Sequence, residues 1–431
     1  EIIQKIIEFL STFRFVSEGE LEKESLNPEI LGYIFEKAMT AQDRKGTGAY
    51  YTPKPITQYI AENTIFPCIL DKINELLRSK GYKESELLKD VNEIFKLRDT
   101  TLMEIYEEVI RKIKILDPAC GSGAFLLSAS QVLYELHKKV REAVGRELIS
   151  DVGIKKSILR NNICGADINH KAIEIAKLRL WQWVAESYEP ESTIEPLPNI
   201  EYNITAGNSL IGYVDINKFK EIKISMDDYL GVEIPTDELL KERDKLLKDY
   251  KTSFGTKAEE LRRKIEEINP KIRRKLDILL FQELRQKIEI KAEELAVLEP
   301  FHWGFEFHEV FENSEKGFDV VIGNPPYGRI KQVIKEKAMK ELHSKLYNNL
   351  FSYQRGNYNW YKLFLERTYG LITHNGYFSM IYPTAFLGED NSKPLRKLFF
   401  EQAEVKEILQ FPEKTRVFVG VTQDILQERK I

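Results

Sequence analysis

Four short apolar runs in this chain each end abruptly on a carboxylate or an amide, with glycine or proline close by. They are KIKILDPACGSG (residues 112–123), NICGADIN (162–169), EYNITAGNSL (201–210) and FDVVIGNPPY (318–327). The first two are followed by stretches of helical character, from about Ala124 to Arg141 and over KAIEIAKLRLWQWVAES. Strands alternating with helices predict an α/β fold with a mostly parallel sheet covered by helices. GYFSMIYP, VKEILQF and VTQDIL supply three more strands, making seven in all. One run raises a question of its own. A buried strand that finishes in an amide and two consecutive prolines is either a simple stop signal or a row of acceptors waiting for a donor.

The 431 residues allow one large core with insertions or two to three domains. Residues 1–48 read as an N-terminal helical segment, with Ile30, Leu31, Ile34, Phe35 and Ala38 spaced three and four apart and Pro28 near a helix start. After the glycines of KGTGAYYTPKPI, Thr52 is expected to cap the next helix and Pro53 to occupy its first turn. Residues 49–235 form the first half of the core and 299–431 the second. Between them, 236–298 is dense in Glu, Lys, Arg and Leu. It reads as long helices interrupted near Pro270, forming a solvated insertion or, alternatively, an arm contacting DNA or a partner. No apolar run reaches the roughly 18 residues of a membrane span, so no membrane partner is expected. Three cysteines without CxxC spacing fit a cytoplasmic, reducing environment and argue against zinc, and no HExxH is present, so no metal is expected. A net charge of −4 neither advertises nor excludes nucleic-acid binding, which depends on a local basic face.

The ends of the runs carry the chemistry. Gly121 and Gly123 open the first turn for a ligand to approach the backbone, but Leu126 stands where a dinucleotide fingerprint wants a third glycine. Asp117 would repel a pyrophosphate and favours a ligand carrying an ammonium group. Asp167, at the second strand end, can accept from ribose hydroxyls, with Ile168 beside it to pack on a purine face. Asn208, at the third, can read an adenine edge. An amine partner, a ribose partner and an adenine partner together match S-adenosyl-L-methionine. At the fourth end, the Asn324 side-chain oxygen and the Pro325 carbonyl, held extended by Pro326, offer two acceptors to one exocyclic amino group. Binding both hydrogens draws the nitrogen lone pair out of conjugation and makes it a better nucleophile, while Tyr327 supplies a face for the base.

These residues resemble the γ-type DNA adenine-N6 methyltransferases, in particular the methylase portion of fused type IIG restriction-modification enzymes and related phage-defence methylases. The resemblance is carried by GAYYTPKPI, DPACGSGAF, GADIN, GNSL and GNPPY, by PFHWGFEFHEVF and YNWYKLFLERTYGLITHNGYFSMIYP on either side of the last, and by TRVFVGVTQDI. It implies a Rossmann-like class I methyltransferase fold acting on double-stranded DNA with a flipped adenine. It adds Tyr51, Thr52, Pro53, Ala119, Phe125, Ser209 and Leu210 to the cofactor site, and makes Phe418 a second stacking partner opposite Tyr327. The wider family often has Asp where Asn208 stands. The resemblance also implies a recognition domain or subunit beyond Ile431 and a nuclease domain before Glu1. Within the chain, Glu404-Val405-Lys406 is the only triplet suggestive of a nuclease, and it reads as structural. Methylation of protein glutamine or of RNA through the same NPPY acceptors, or an idle DNA-binding subunit, are the competing readings.

Overall fold

The computed structural model describes residues 28, 29, 31, 32, 34, 52–145, 150–188, 196–225, 233–312, 316–328, 334, 336–354, 358–411 and 425–429. Its strands are β1 (Ile115–Asp117), β2 (Ile163–Asp167), β3 (Ile204–Ala206), β4 (Lys223–Ser225), β5 (Glu233–Pro235), β6 (Phe318–Gly323), β7 (Ile372–Pro383), β8 (Ile408–Phe411) and β9 (Ile425–Arg429). The main sheet runs β3-β2-β1-β6-β7-β9-β8, while β4 and β5 form a separate hairpin. From β3 to β7 every pairing is parallel, and β9 enters antiparallel to both β7 and β8. A parallel sheet with one reversed strand inserted beside its edge strand is the arrangement that the resemblance to class I methyltransferases implies.

Strands β1, β2, β6 and β7 are buried on both faces of the sheet because they are apolar at consecutive positions. Side chains alternate across it. Ile115, Ile163, Val320 and Tyr377 point into one core, shared with helices α1 (Lys54–Ser79), α2 (Ala124–Val144), α3 (Asp151–Asn161) and α4 (His170–Ala185). Their neighbours Leu116, Cys164, Val321 and Phe378 point into the opposite core, with Phe301, Trp303, Tyr361 and Phe399.

The consequence for function is positional. β1 and β6 are adjacent, with Leu116 opposite Val321, although about 200 residues separate them in the chain. The sheet winds outward in opposite directions from this pair, so a crevice opens beyond their carboxyl ends. All four polar strand ends lie on that one edge of the sheet.

Two local expectations need correction. Pro270 does not interrupt the insertion. It lies inside one continuous helix, α6 (Gly255–Arg285), and the break falls earlier, between α5 (Thr236–Thr252) and Gly255. Pro270 is on the exposed side, while Leu261, Ile265, Ile268, Ile272 and Leu276 are buried along the other, so packing carries the helix across the missing N–H. Nor does Thr52 cap α1: Pro53 holds the N-cap position, with no side-chain capping bond. The Thr52 hydroxyl is engaged elsewhere.

The insertion is also less free than a solvated arm. Arg243 Nε donates to Asn269 Oδ1 at 2.7 Å, Arg273 donates to Glu306 at 2.7 and 3.0 Å, and His302 Nε2 lies 3.0 Å from Asp277 Oδ1. The first contact ties α5 to α6, and the other two fasten α6 to the FHWGFEFHEVF stretch under the sheet.

Candidate active site

The Gly-rich loop after β1 is shaped by its own backbone. Gly121 and Gly123 sit at φ +52° and +85°, conformations that L side chains rarely adopt. A Cβ at Gly123 would come within 3.0 Å of Ala176 on α4, so glycine is what lets the loop lie flush on that helix. A Cβ at Gly121 would meet nothing within 4 Å, so the loop stays open on its outer side.

Asp117, fully buried at the end of β1, accepts from the Ala119 N–H at 3.0 Å. Burial holds its carboxyl well above the usual carboxylate range. One oxygen also lies where a Cβ at Gly323 would touch it at 2.7 Å, so glycine at the end of β6 is what lets this carboxyl lie against that strand. Asp167 is pushed upward as well, again by burial. Its two oxygens accept from the Gly121 and Asn169 N–H groups, each at 2.8 Å. Asp167 therefore ties the Gly-rich loop to the start of α4. A carboxylate has further lone pairs free for a ligand's hydroxyls. Ile168 beside it is 53% exposed, an apolar surface at the mouth of the crevice.

The third strand end is held on all sides. Asn208 Oδ1 accepts from the Leu210 N–H at 3.1 Å, which assigns the amide orientation and leaves Nδ2 as a donor. Ser209 Oγ donates to the Pro118 carbonyl at 2.6 Å, joining this loop to the Gly-rich one. Trp303 Nε1 donates to the Ser209 carbonyl at 3.0 Å and Arg367 Nη2 to the Leu210 carbonyl at 2.6 Å. PFHWGF thus acts as a buttress for GNSL. Leu210 and Phe125 are core side chains, and Ala119 packs at the edge of the Leu210 cluster.

At the fourth strand end, Asn324 Nδ2 donates to Thr52 Oγ1 at 3.0 Å. Asn324 Oδ1 accepts from the Tyr327 hydroxyl, whose oxygen also lies 3.1 Å from the Ile381 carbonyl. One hydroxyl proton cannot satisfy both acceptors fully. If another donor takes Asn324 Oδ1, the Tyr327 proton can turn to Ile381 without leaving a polar group stranded. The Tyr327 ring stands edge-on to Tyr361, with centroids 6.5 Å apart. Pro325 is buried and Pro326 half-buried, and among the described residues no group donates to the Pro325 carbonyl. Tyr51 and Phe418 lie outside the described residues.

This edge suits S-adenosylmethionine on its own chemistry. A buried carboxyl that resists ionisation gains from a cationic amine, an open glycine loop admits the chain behind it, and an apolar shelf with an amide donor lies where a nucleoside would reach. Sequence reading identified the acids and amides but missed Thr52 as the partner of Asn324, and it missed Trp303 and Arg367. Among the described residues no cluster of His, Cys, Asp or Glu could hold a metal ion, and no helix is long and apolar enough to cross a membrane.

Residues 161–418 match the Eco57I restriction-modification methylase family, and residues 92–211 match the DNA-methyltransferase domain of MmeI. A Methanocaldococcus jannaschii protein, RM.MjaORFECS2P, described as a type II restriction enzyme and methyltransferase, is 33% identical over 470 aligned positions. That alignment takes in 96% of this chain and 38% of the relative's length. The adenine-specific methyltransferase BrxX of Escherichia coli is 28% identical over 162 positions, covering 34% of this chain and 13% of BrxX. The type IIL restriction-modification enzyme MmeI, solved in complex with DNA, is 14% identical, overlaps 94% of this chain and 40% of its own, and superposes with a TM-score of 0.47.

Proposed function

Because the chain belongs to the Eco57I family of restriction-modification methylases, we propose that it transfers a methyl group from S-adenosyl-L-methionine to the exocyclic N6 amine of adenine in double-stranded DNA. The observation that carries the proposal is the arrangement of acceptors at the end of β6. Thr52 and the Tyr327 hydroxyl hold the two ends of the Asn324 amide, with Oδ1 facing a hydroxyl that has a second acceptor at Ile381, and the Pro325 carbonyl, to which no group donates among the described residues, follows in the chain. Both acceptors stand on the same sheet edge as Asp117 and Asp167. The adenine specificity of the BrxX relative supports the choice of base.

Asp117 and the Gly121–Gly123 loop would hold the amino-acid end of the cofactor, Asp167 its ribose, and Ile168 with Asn208 its adenine. The bound cofactor supplies an electrophilic methyl group on a sulfonium. Asn324 Oδ1 and the Pro325 carbonyl accept the two hydrogens of the target amine, which localises the lone pair on nitrogen for in-line attack. As the amine nitrogen takes the methyl, whose bond to sulfur breaks to leave a neutral thioether, the same acceptors would stabilise the charge the amine gains until a proton leaves to solvent. As the amine takes Asn324 Oδ1, the Tyr327 hydroxyl would turn its hydrogen bond to the Ile381 carbonyl, and with Phe418 the Tyr327 ring would stack on the extruded base. Positioning and electrostatics supply the rate, with no covalent enzyme intermediate.

The domain division at 48, 235 and 298, a recognition domain or subunit beyond Ile431, a nuclease before Glu1 and a cytoplasmic location belong to the same proposal. The test is transfer of tritiated methyl to duplex DNA, RNA and protein in parallel. Label confined to duplex DNA supports the proposal, and label in protein or RNA alone refutes it.

A further inference from the structure

The cofactor loop has a second anchor that lies outside the crevice. Arg179, on α4 about two and a half turns beyond its start, is fully buried, and its guanidinium is shared between two distant parts of the chain. Nη1 donates to the Ser122 carbonyl at 2.8 Å and approaches Ser122 Oγ at 3.3 Å. Ser122 lies between Gly121 and Gly123, so this bond grips the middle of the Gly-rich loop. The other donors turn away from the loop. Nε donates to the Pro28 carbonyl at 2.7 Å and Nη2 to Glu29 Oε2 at 2.9 Å. Gly32 closes the contact: a Cβ there would sit 2.5 Å from Arg179 Nη1.

A buried guanidinium is costly unless it is paired and its donors are satisfied. The ion pair recorded for Arg179 is with Glu29, which comes from the N-terminal segment. The hydrogen bond to Ser122 is therefore made by a group whose charge is balanced from residues 28–32. Charge-assisted bonds of this kind are stronger and more directional than neutral ones. We propose that Arg179 is a positioning residue that couples the docking of Pro28, Glu29 and Gly32 to the shape of the Gly-rich loop, so that cofactor affinity depends on Glu29 and Gly32. The inference rests on the reading of this loop as the S-adenosylmethionine site. Coupling of this kind is reciprocal, so cofactor binding must in turn tighten the docking of residues 28–34.

The test is calorimetric titration of the full chain with S-adenosylmethionine, with thermal melts to confirm folding. Arg179→Met should weaken binding roughly tenfold or more, the scale of one lost hydrogen bond to a charged group. Glu29→Gln should weaken it less, and adding it to Arg179→Met should bring no further loss. Gly32→Ala changes no charge, and it should also weaken binding by displacing the guanidinium. It keeps the test valid if Arg179→Met fails to fold. In the wild type, hydrogen exchange in the peptide spanning residues 28–34 should slow when cofactor is added, an effect that a purely structural arginine would not produce. Wild-type affinity in folded Arg179→Met or Gly32→Ala, additive losses in the double variant, or exchange unaffected by cofactor would each overturn the coupling. A wild type that does not bind S-adenosylmethionine would instead overturn the functional reading, and the coupling with it.

Discussion

Thr52 gives the sharpest separation between binding the cofactor and orienting the acceptor. Its hydroxyl is buried and receives the Asn324 amide at 3.0 Å, and it makes no capping bond to α1. Thr52→Val keeps the shape and removes only that acceptor. Losing one neutral hydrogen bond costs about 0.5–1.5 kcal/mol. If the bond matters only for presenting Asn324 Oδ1 to the amine, the whole loss falls on the transition state. At about 1.36 kcal/mol per tenfold, kcat should then fall about 2- to 13-fold. Cofactor affinity should stay within about twofold of wild type, because Thr52 would touch Asn324 and not the cofactor. The assay is single-turnover methyl transfer to duplex DNA at saturating cofactor, alongside calorimetric cofactor binding. An unchanged rate with weakened cofactor binding would refute this reasoning and return Thr52 to the cofactor site.

Three further outcomes follow from the same geometry. Asp167→Ala removes the acceptor for both the Gly121 and Asn169 N–H groups and should weaken S-adenosylmethionine binding by about 1.5–3 kcal/mol in calorimetry; unchanged affinity would remove Asp167 from the site. Asp117 is raised by burial, so the folded state holds its proton to higher pH than the unfolded chain does. Its contribution to stability is therefore present below the unfolded value of about 3.9 and declines as pH rises through the raised folded pKa. Asp117→Asn should flatten that decline in cofactor-free thermal melts, and parallel pH profiles would contradict it. Pro270→Ala restores a helix N–H on the exposed side of α6 and should raise stability by on the order of 1 kcal/mol in urea titration, with methylation unchanged; a lower midpoint would mean that the proline stabilises the helix.

What the sequence revealed and what it concealed divide along the range of the contacts. Asp117, Asp167, Asn208 and Asn324 are legible because each ends an apolar run, and a parallel sheet brings such ends to one edge. Once α/β alternation is recognised, that needs no knowledge of tertiary contacts. Thr52 pairs with Asn324 across 272 positions, and Arg367 reaches Leu210 across 157. No periodicity marks such partners. Thr52 reads instead as a cap, because Thr before Pro fits a helix start so well. Arg179 reads as one more polar residue in an amphipathic helix until the fold lays the glycine loop and Pro28 against it. Pro270 misleads for the opposite reason: a strong local signal is overridden by a long buried stripe on the far side of its helix.

The central claim is that Asn324 and the Pro325 carbonyl activate the N6 amine of adenine in DNA. The most direct measurement digests methylated duplex DNA to nucleosides and identifies the product by mass, using wild type and Asn324→Ala at equal cofactor occupancy. The expected result is N6-methyladenine from the wild type and a loss of several orders of magnitude in the variant, with S-adenosylmethionine affinity little changed. Methylated cytosine as the product, or near-normal N6-methyladenine from Asn324→Ala, would contradict it.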